Sequence, residues 1–407
     1  MVSIKRRQVL LIIVVAAVLG GALVWRRLLP ALRPPFFSPP ENITKFLPED
    51  TLPPGAVNET NMPLALPPGF AISIFAKDLP GARVMRFDRF GNMWISRTSQ
   101  GIVSMLEIDR DAGKVRRQSD IFRGLEKPHG LAFDPEDQLA LYIAEEHRVR
   151  SFSAYSEDSA GREVLQLPAG GGHFTRTLGF GLDKKLYVSV GSSCNVCVET
   201  DERRAAIMRS DPQTGASEIF ARGLRNAVFF AWDAAGRMWA TEMGRDWLGD
   251  DLPPDEINIV EQSKNYGWPT CYGKNVHDTN FDKNTYVRPP CAEPSETPSF
   301  INIPAHSAPL GLAFVPPRSA WPEDYWYDLF VAYHGSWNRS EPTGYKVVRH
   351  KFNAAGDYKG VEDFITGWLT PQGALGRPVD IVVQPDGVMY ISDDKAGVIY
   401  KITRRGG

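Results

Sequence analysis

The stretch FDRFGNMWIS at residues 87–96 carries the pattern that decides the fold of this chain. An apolar residue leads into an aspartate, a short polar turn with a glycine follows, and a strand-like run with an aromatic residue comes next. Apolar runs on both sides of a turn rich in Gly or Asp are typical of a β-hairpin. The stretch therefore predicts a local hairpin that buries its apolar side chains.

The same phrase returns five times further along the chain. The copies are FDPEDQLALYIA (133–144), FGLDKKLYVS (180–189), WDAAGRMWAT (232–241), FVPP leading through an insert to LFVA (314–332), and VQPDGVMYIS (383–392). The first three copies begin 46 and 47 residues apart, the spacing of one four-stranded propeller blade. Because a single hairpin cannot bury its own face, the copies must stack, and radial stacking removes most exposed edges. The repeat predicts an all-β, six-bladed β-propeller over residues 69–407.

Two long insertions separate the later copies, between residues 244 and 313 and between residues 335 and 376. Loops of this length in a compact domain are usually functional. In a propeller we expect them to crowd one mouth of the central channel.

The first 29 residues do not belong to the propeller pattern. Basic residues precede and follow the uncharged run 9–25. This run is at the lower limit for a membrane-spanning helix, and no small-x-small cleavage site follows it. We expect residues 1–29 to form an uncleaved signal anchor, that is, an N-terminal membrane anchor helix, with a cleaved signal peptide as the alternative.

Residues 30–68 contain eleven prolines, which favour extended backbone and exclude helices and central strands. We interpret this segment as a Pro-rich linker between the membrane and the propeller. The whole chain has a formal net charge of −2, so the total charge does not point to nucleic acid.

The four cysteines form two local groups, and we expect the pairs Cys194–Cys197 and Cys271–Cys291. Two disulfides fit an oxidising compartment. The alternatives are a zinc site with all four thiolates and a redox CxxC, but the spacing and the surrounding sequence favour neither.

Several polar groups stand at similar places in the repeat. His173 precedes Phe180 by seven residues, and Arg225 precedes Trp232 by the same interval. Arg377 precedes the sixth turn, and the segment 333–339 (YHGSWNR) follows the fifth. Equal offsets in a repeat imply equal positions in the blades, so these side chains should converge on one face near the axis.

Five phrases, at residues 173–183, 223–226 (GLRN), 242–258, 265–269 (NYGWP) and 385–387 (PDG), carry a family resemblance in their order and spacing. With them the chain resembles the soluble sugar dehydrogenases that depend on pyrroloquinoline quinone (PQQ), and most closely their sorbosone or pyranose dehydrogenase branch. The resemblance covers residues 69–403. It implies oxidation of an aldose or a related sugar or aldehyde by hydride transfer to the quinone.

The resemblance also implies roles for individual residues. His173 would be the general base, taking the proton of the anomeric hydroxyl while the C1 hydride goes to C5 of the quinone. Arg225 would act beside it, donating to the charge that develops on the C5 oxygen. The residues expected to bind the quinone are Arg97, Arg225, Asn226, His334, Asn338 and Arg377. Arg339 and the arginines within 202–209 are interpreted as surface ion pairs.

A calcium ion is implied in the same way, with the main-chain carbonyls of Gly244 and Arg245 as ligands, since Ca²⁺ prefers hard oxygen ligands. It would polarise the C5 carbonyl. The following acidic cluster is divided: the aspartates at 246, 250 and 251 are interpreted as solvated loop charge, whereas Asp255 and Glu256 match the family position.

The chain departs from the soluble glucose dehydrogenases in places. Arg245 stands where they carry a proline, Pro378-Val379 follows Arg377 where they carry a second arginine, and residues 333–339 replace a lysine-bearing region. Glucose therefore cannot be assumed as the substrate.

Two other function classes compete with this interpretation. One is a calcium-dependent lactonase-type propeller hydrolase, and the other is a non-catalytic propeller binding module. If the chain is the dehydrogenase, the expected partners are a sugar substrate and a separate electron acceptor (a cytochrome or a quinone), because no haem-attachment CxxCH is present. The expected location is the periplasm, with the N-terminal helix in the inner membrane, or export after cleavage.

Overall fold

The computed structural model describes residues 55–156 and 160–405, and its main sheets form a six-bladed propeller, as the repeat predicts. Within these residues there is no α-helix, only 3-10 turns at Thr98–Gln100 and Glu323–Tyr325. The described residues contain no helix that is long and apolar enough to cross a membrane. The anchor expected at 1–29 and linker residues 30–54 lie outside the described residues.

The first three blades are four-stranded antiparallel sheets whose strands pair in chain order. Their strands are β3 (Ala82–Phe87), β4 (Met93–Arg97), β5 (Ile102–Asp109) and β6 (Lys114–Phe122) in blade 1; β7 (Leu131–Phe133), β8 (Ala140–Ala144), β9 (Arg148–Ser153) and β10 (Arg162–Gln166) in blade 2; and β11 (Leu178–Phe180), β12 (Leu186–Val190), β13 (Ala206–Ser210) and β14 (Ser217–Arg222) in blade 3.

The last three blades contain the insertions and the ring closure. Their strands are β15 (Phe229–Trp232), β16 (Met238–Glu242), β17 (Asp255–Val260) and β20 (Ile301–Ile303) in blade 4; β21 (Pro309–Phe314), β22 (Leu329–Tyr333), β23 (Lys346–Phe352) and β24 (Tyr358–Ile365) in blade 5; and β27 (Pro378–Val383), β28 (Met389–Asp393), β29 (Val398–Arg404) and β2 (Phe70–Ala76) in blade 6. Two ribbons complete the insertions: β18 (Cys271–Tyr272) with β19 (Val276–His277), and β25 (Leu369–Thr370) with β26 (Gly373–Ala374).

The N-terminal part of the domain closes the ring. Strand β2 pairs antiparallel with β29, so blade 6 takes its fourth strand from the other end of the chain. Strand β1 (Val57–Asn58) adds a short parallel edge to β2. Leu64 and Leu66 are buried, and Ala65 bridges to Thr366. Residues 55–68, assigned above to the linker, therefore pack on the propeller, because proline restricts but does not prevent an extended packed segment.

In blades 1 and 4 the aspartate of the repeated phrase holds the hairpin turn to the aromatic residue of the following strand. In blade 1, Asp88 accepts the amides of Phe90 and Asn92 through one oxygen and the indole N–H of Trp94, at 2.9 Å, through the other. In blade 4 the Asp233 carboxylate accepts the Trp239 indole N–H at the same distance. In these two blades one carboxylate thus satisfies both the turn and the buried indole.

The core lies between neighbouring blades. Trp94 and Trp239 are fully buried and pack among apolar side chains from adjacent sheets. Truncating a buried tryptophan to alanine typically costs about 3–5 kcal/mol. The first strands of successive blades lie side by side around the axis, so the residues just before them reach one end of the channel.

Candidate active site at one mouth of the propeller

The predicted groups meet at one end of the propeller. His173 precedes β11, Arg225 precedes β15 and Arg377 precedes β27, whereas Gly244 follows β16 and His334 follows β22. First and second strands of a blade are antiparallel, so the start of one and the end of the other lie at the same end. The structure thus places these residues at the same end of the propeller.

The His173 ring is held by one residue, Ser192. His173 Nδ1 lies 3.0 Å from the Ser192 carbonyl oxygen and 2.9 Å from the Ser192 Oγ. The Ser192 hydroxyl donates its own hydrogen to the Cys194 carbonyl at 2.7 Å, so both atoms that face Nδ1 act as acceptors. Nδ1 therefore carries the hydrogen, and the lone pair is on Nε2.

The surroundings keep His173 neutral. Burial, with the Arg225 cation as the second cause, lowers the pKa of His173 to about 3. No group within the described residues hydrogen-bonds to Nε2. The ring therefore offers an unprotonated nitrogen at neutral pH, which is the form that a general base requires.

A glycine brings His173 close to Asn226. A Cβ on Gly191 would lie 2.6 Å from the His173 Cβ and 2.7 Å from the Asn226 Oδ1. Any larger residue would push the two side chains apart. The glycine that follows β12 thus lets a blade 3 residue and a blade 4 residue share one site.

Arg225 is buried and uses all three guanidinium nitrogens on protein oxygens. Nε donates to the Asn195 carbonyl at 2.8 Å, and Nη2 donates to the Asn195 Oδ1 at 2.9 Å. Nη1 donates to the carbonyls of Gly244 (2.9 Å) and Met243 (3.3 Å). The guanidinium joins the loop after β12 to the loop after β16, and it places a positive charge beside His173.

Asp246 is the centre of this polar network, and its interpretation as solvated loop charge is wrong. Its carboxylate accepts from Asn338 Nδ2 at 2.6 Å and lies 3.4 Å from Arg225 Nη2. His306 Nδ1 is 3.9 Å away. The network joins the loop after β16 to the insertion after β22, so the two insertions meet at the mouth as expected.

A second polar group surrounds Arg377. Its Nε donates to the His334 carbonyl at 3.0 Å, and its Nη2 donates to the Gly335 carbonyl at 2.6 Å. The His334 Nε2 is 2.9 Å from Asp394, which also pairs with Arg83 at 2.6 Å. Burial lowers the pKa of His334 to about 4. Blades 5, 6 and 1 thus contribute two arginines and an imidazole.

Arg97 lies at the same end of blade 1 but in a separate set of contacts. Its Nη1 pairs with Asp120 at 3.0 Å, and its Nε donates to the Pro80 carbonyl at 3.3 Å. The structure does not link it to the network around Arg225 or to the group around Arg377. Its role in cofactor binding stays a prediction.

Buried carboxyl groups surround the predicted calcium ligands. Asp255 accepts the amides of Gly244 (2.9 Å) and Ala308 (2.8 Å), so it shapes this loop. Glu242 accepts the Asn226 amide at 3.1 Å through Oε1, while its buried Oε2 has no partner among the described residues. Burial raises the pKa of Asp255 to about 7 and that of Glu242 well above its ordinary value.

This oxygen-rich corner fits a hard cation. An unpartnered carboxylate oxygen, a second buried carboxylate and two main-chain carbonyls are the donor types that Ca²⁺ prefers. The Gly244 carbonyl also accepts from Arg225, so a cation there would share it with the guanidinium. The Arg245 side chain does not point to this chemistry, because it pairs with the buried Asp278 at 3.0 Å through Nη2.

The other arginines divide as follows. Arg339 pairs with the exposed Asp251 at 2.9 Å, and Arg209 pairs with Glu218, so their interpretation as surface ion pairs is confirmed. The interpretation as a surface ion pair is wrong for Arg204, because this side chain is buried and donates to the carbonyls of Ala169 and Gly170. It supports the loop that leads to His173.

Both expected disulfides are present, Cys194–Cys197 and Cys271–Cys291. They use all four cysteines, which excludes the tetrathiolate zinc alternative. The first disulfide closes the short loop that follows Ser192 and contains Asn195, the partner of Arg225, directly at the mouth. The sequence predicts this disulfide, but it does not reveal the contacts that the loop closed by the disulfide makes.

A groove of about 690 Å³ lies at the opposite end, between blades 4 and 5. It is lined by turn residues such as Trp232, Arg237, Phe314 and Gly356. No histidine lines this groove. The groove lies at the end of β15 and the start of β16, whereas the predicted site lies at the start of β15 and the end of β16. The mouth therefore remains the candidate active site.

The fold and the site together define the class of protein. It is a six-bladed propeller that carries a neutral histidine, buried arginines and an oxygen-rich corner at one mouth. The chain belongs to the TrAA12-like family, whose model matches residues 64–405. It is 30% identical over 374 residues to an uncharacterized protein of Borreliella burgdorferi, covering 85% of this chain and 92% of that protein.

A second relative is the pyrroloquinoline quinone-dependent pyranose dehydrogenase of Coprinopsis cinerea, 27% identical over 298 residues. That match covers 58% of this chain and 40% of the fungal enzyme, so it spans less than half of that enzyme.

Solved structures confirm the fold. The family AA12 carbohydrate-active enzyme of Trichoderma reesei superposes with a TM-score of 0.72 at 21% identity, covering 84% of this chain and 98% of that one. The PQQ domain of the Coprinopsis cinerea pyranose dehydrogenase gives 0.69 at 21% identity, covering 87% and 100%. At these identities the likeness shows the shared propeller and no more.

Proposed function

We propose that this protein is a PQQ- and calcium-dependent dehydrogenase that oxidises an aldose or a related sugar or aldehyde. One observation carries the proposal: Ser192 fixes His173 with the hydrogen on Nδ1, so that an unprotonated Nε2 lies at a mouth furnished with buried arginines. The names of similar proteins support it. A relative is a PQQ-dependent pyranose dehydrogenase, and a calcium structure of the Trichoderma reesei enzyme exists.

The residues at the mouth fit an anionic quinone and a hard cation. Arg225, Arg377 and Asn226 would hold the quinone together with His334 and Asn338, whose buried Oδ1 has no partner among the described residues. The carbonyls of Gly244 and Arg245, with Glu242 and Asp255 nearby, would hold the cation. When bound, the quinone supplies a two-electron acceptor, and calcium supplies a Lewis acid that polarises it.

The protein's own contribution is proton transfer and orientation. His173 Nε2 takes the proton of the sugar hydroxyl, because its lone pair is free and Ser192 prevents the ring from rotating. The Arg225 cation raises the positive potential where negative charge develops, and burial makes that effect stronger than it would be in water.

Reconstitution tests the proposal. The purified propeller is mixed with PQQ and Ca²⁺, the absorption spectrum is recorded, and a panel of aldoses is added with a redox dye. A new absorption band that an aldose bleaches, with dye reduction, supports the proposal. Absence of both contradicts it, and lactone hydrolysis without a quinone would favour the lactonase alternative.

We also propose a location and an electron path. Two disulfides support a compartment outside the cytoplasm, with residues 1–29 as anchor to the inner membrane. A separate carrier, a cytochrome or a quinone, receives the electrons. Separating membrane and periplasmic fractions of a bacterial host, with an N-terminally truncated chain as control, tests the anchor.

A further inference from the structure

The loop closed by the Cys194–Cys197 disulfide lies at the centre of the contacts that hold the side chains of His173 and Arg225. The bond joins residues three positions apart, and their side chains are half-buried. A loop this short removes little chain entropy, in contrast to the twenty-residue separation of Cys271–Cys291. Global stabilisation is therefore a poor reason for this disulfide, and a local role is the better one.

Asn195, within this loop, makes four hydrogen bonds that join two blades. Its carbonyl and its Oδ1 accept from Nε and Nη2 of Arg225, so the guanidinium fork grips one residue twice. Oδ1 also accepts the Asp246 amide at 2.8 Å, and Nδ2 donates to the Asp246 carbonyl at 3.1 Å. Two donors facing Oδ1 and an acceptor facing Nδ2 fix the orientation of the amide.

The same loop also holds His173. The Cys194 carbonyl accepts the Ser192 hydroxyl hydrogen, which leaves Ser192 Oγ as an acceptor for His173 Nδ1. The Ser193 carbonyl accepts the Gly172 amide at 2.8 Å, next to His173. The Glu199 carboxylate anchors the base of the loop through the Ser193 amide (2.6 Å) and hydroxyl (2.8 Å).

We infer that Asn195 is a positioning residue, and that the Cys194–Cys197 disulfide holds it so that Arg225, Asp246 and, through Ser192, His173 keep their arrangement before the quinone binds. The inference rests on the proposed function, because it assigns the loop a role at that site. Without the disulfide or the Asn195 side-chain amide the protein would still fold, but the Arg225 guanidinium would lose the oxygens that hold it in place. Quinone binding would then be weaker and turnover slower.

Three variants test this: Asn195→Ala, Asn195→Asp, which keeps an acceptor for Arg225 and for the Asp246 amide, and the double change Cys194→Ser with Cys197→Ser. The matched control is Asn353→Ala at the opposite end, where the asparagine Oδ1 accepts the amides of Ala355 and Asp357 in an exposed turn. Each protein is measured without cofactor by hydrogen exchange of the Asp246 amide, and then by titration with PQQ in Ca²⁺ and by dye-linked turnover.

For Asn195→Ala we expect the Asp246 amide to exchange about tenfold faster or more, the PQQ dissociation constant to rise by a similar factor, and kcat to fall with little change in the sugar KM. Asn195→Asp should recover most of the amide protection. The double serine variant should lie between wild type and Asn195→Ala, and the melting temperature should change little in all variants. The control should match wild type in every measurement.

Two failures are distinguishable. If wild type neither binds PQQ nor reduces dye, the proposed function fails, and the exchange measurement still decides whether Asn195 holds Asp246. If wild type is active but Asn195→Ala and the double serine variant equal the Asn353→Ala control in exchange and in PQQ affinity, the inference is overturned while the proposed function stands.

Discussion

His173 Nδ1 lies within hydrogen-bond distance of two acceptor atoms of Ser192, the carbonyl at 3.0 Å and the hydroxyl oxygen at 2.9 Å. This pair fixes the tautomer and the ring plane from one side and leaves Nε2 for a substrate. Histidines that serve as bases are commonly oriented by a hydrogen bond to the other ring nitrogen.

The first prediction concerns His173→Ala. Removing a general base typically lowers the rate by about 10²–10⁴-fold, so dye-linked turnover should fall by that range while PQQ affinity changes by less than about threefold. His277→Ala, which changes a half-buried histidine in the blade 4 insertion, should retain full turnover. A His173→Ala enzyme with wild-type turnover would remove the histidine from the mechanism.

The second prediction concerns the protonation of His173. Because burial and Arg225 lower the pKa of His173 to about 3, its ¹⁵N signals in the cofactor-free protein should not titrate between pH 8 and pH 5, and they should show hydrogen on Nδ1. The His173→Gln spectrum assigns the signals. A titration midpoint near the ordinary histidine pKa, or hydrogen on Nε2, would contradict the geometry described here.

The third prediction concerns Glu242→Gln. Glutamine keeps the acceptor for the Asn226 amide but removes the negative charge of the unpartnered oxygen. Calcium should raise the melting temperature of the wild-type protein, and the calcium affinity read from that shift should fall about tenfold or more in the variant. Glu341→Gln, at an exposed position, is the control and should leave the shift unchanged. Equal shifts in all three proteins would place the cation elsewhere.

The fourth prediction concerns stability at low pH. His350 is buried, the Tyr333 hydroxyl oxygen lies within hydrogen-bond distance of its Nε2 at 3.0 Å, and burial lowers the pKa of His350 to about 4. As the pH falls below about 6.5, the unfolded chain takes up this proton and the folded protein does not, so the histidine reduces stability until about pH 4. His350→Phe should therefore lose less unfolding free energy between pH 7 and pH 4.5, by about 2 kcal/mol.

Urea denaturation at the two pH values measures this difference. Tyr333→Phe is the control, because it removes the same hydrogen bond but keeps the imidazole. Its stability should be lower by about 1 kcal/mol at both pH values, with the slope of the wild type. If the wild type and His350→Phe lose the same free energy on acidification, the histidine is not the group responsible.

The repeat was predictable from the sequence because its determinants are local. The aspartate, the turn and the aromatic residue lie within seven residues in FDRFGNMWIS, and in the structure Asp88 bonds the turn amides and the Trp94 indole. His173 and Arg225 could be found for the same reason, since their equal offsets from the turns give equal places in the blades.

What the sequence did not reveal depends on contacts between blades. Asn195 and Asp246 are 51 residues apart, and Asp246 and Asn338 are 92 apart, so no spacing pattern connects them. An aspartate in an acidic loop has the same sequence signal whether it faces water or an arginine. The CxxC motif offered a better signal. A disulfide that closes so short a loop at a site indicates that a residue between the two cysteines, here Asn195, is held in position.

The most direct test of the central claim is a crystal structure of the protein soaked with PQQ and Ca²⁺. We predict density for a tricyclic quinone at the mouth, in contact with His173 and at least one of Arg225 and Arg377, and a metal peak beside the Gly244 carbonyl. Quinone density only in the groove between blades 4 and 5, or none at the mouth under saturating quinone, would contradict it.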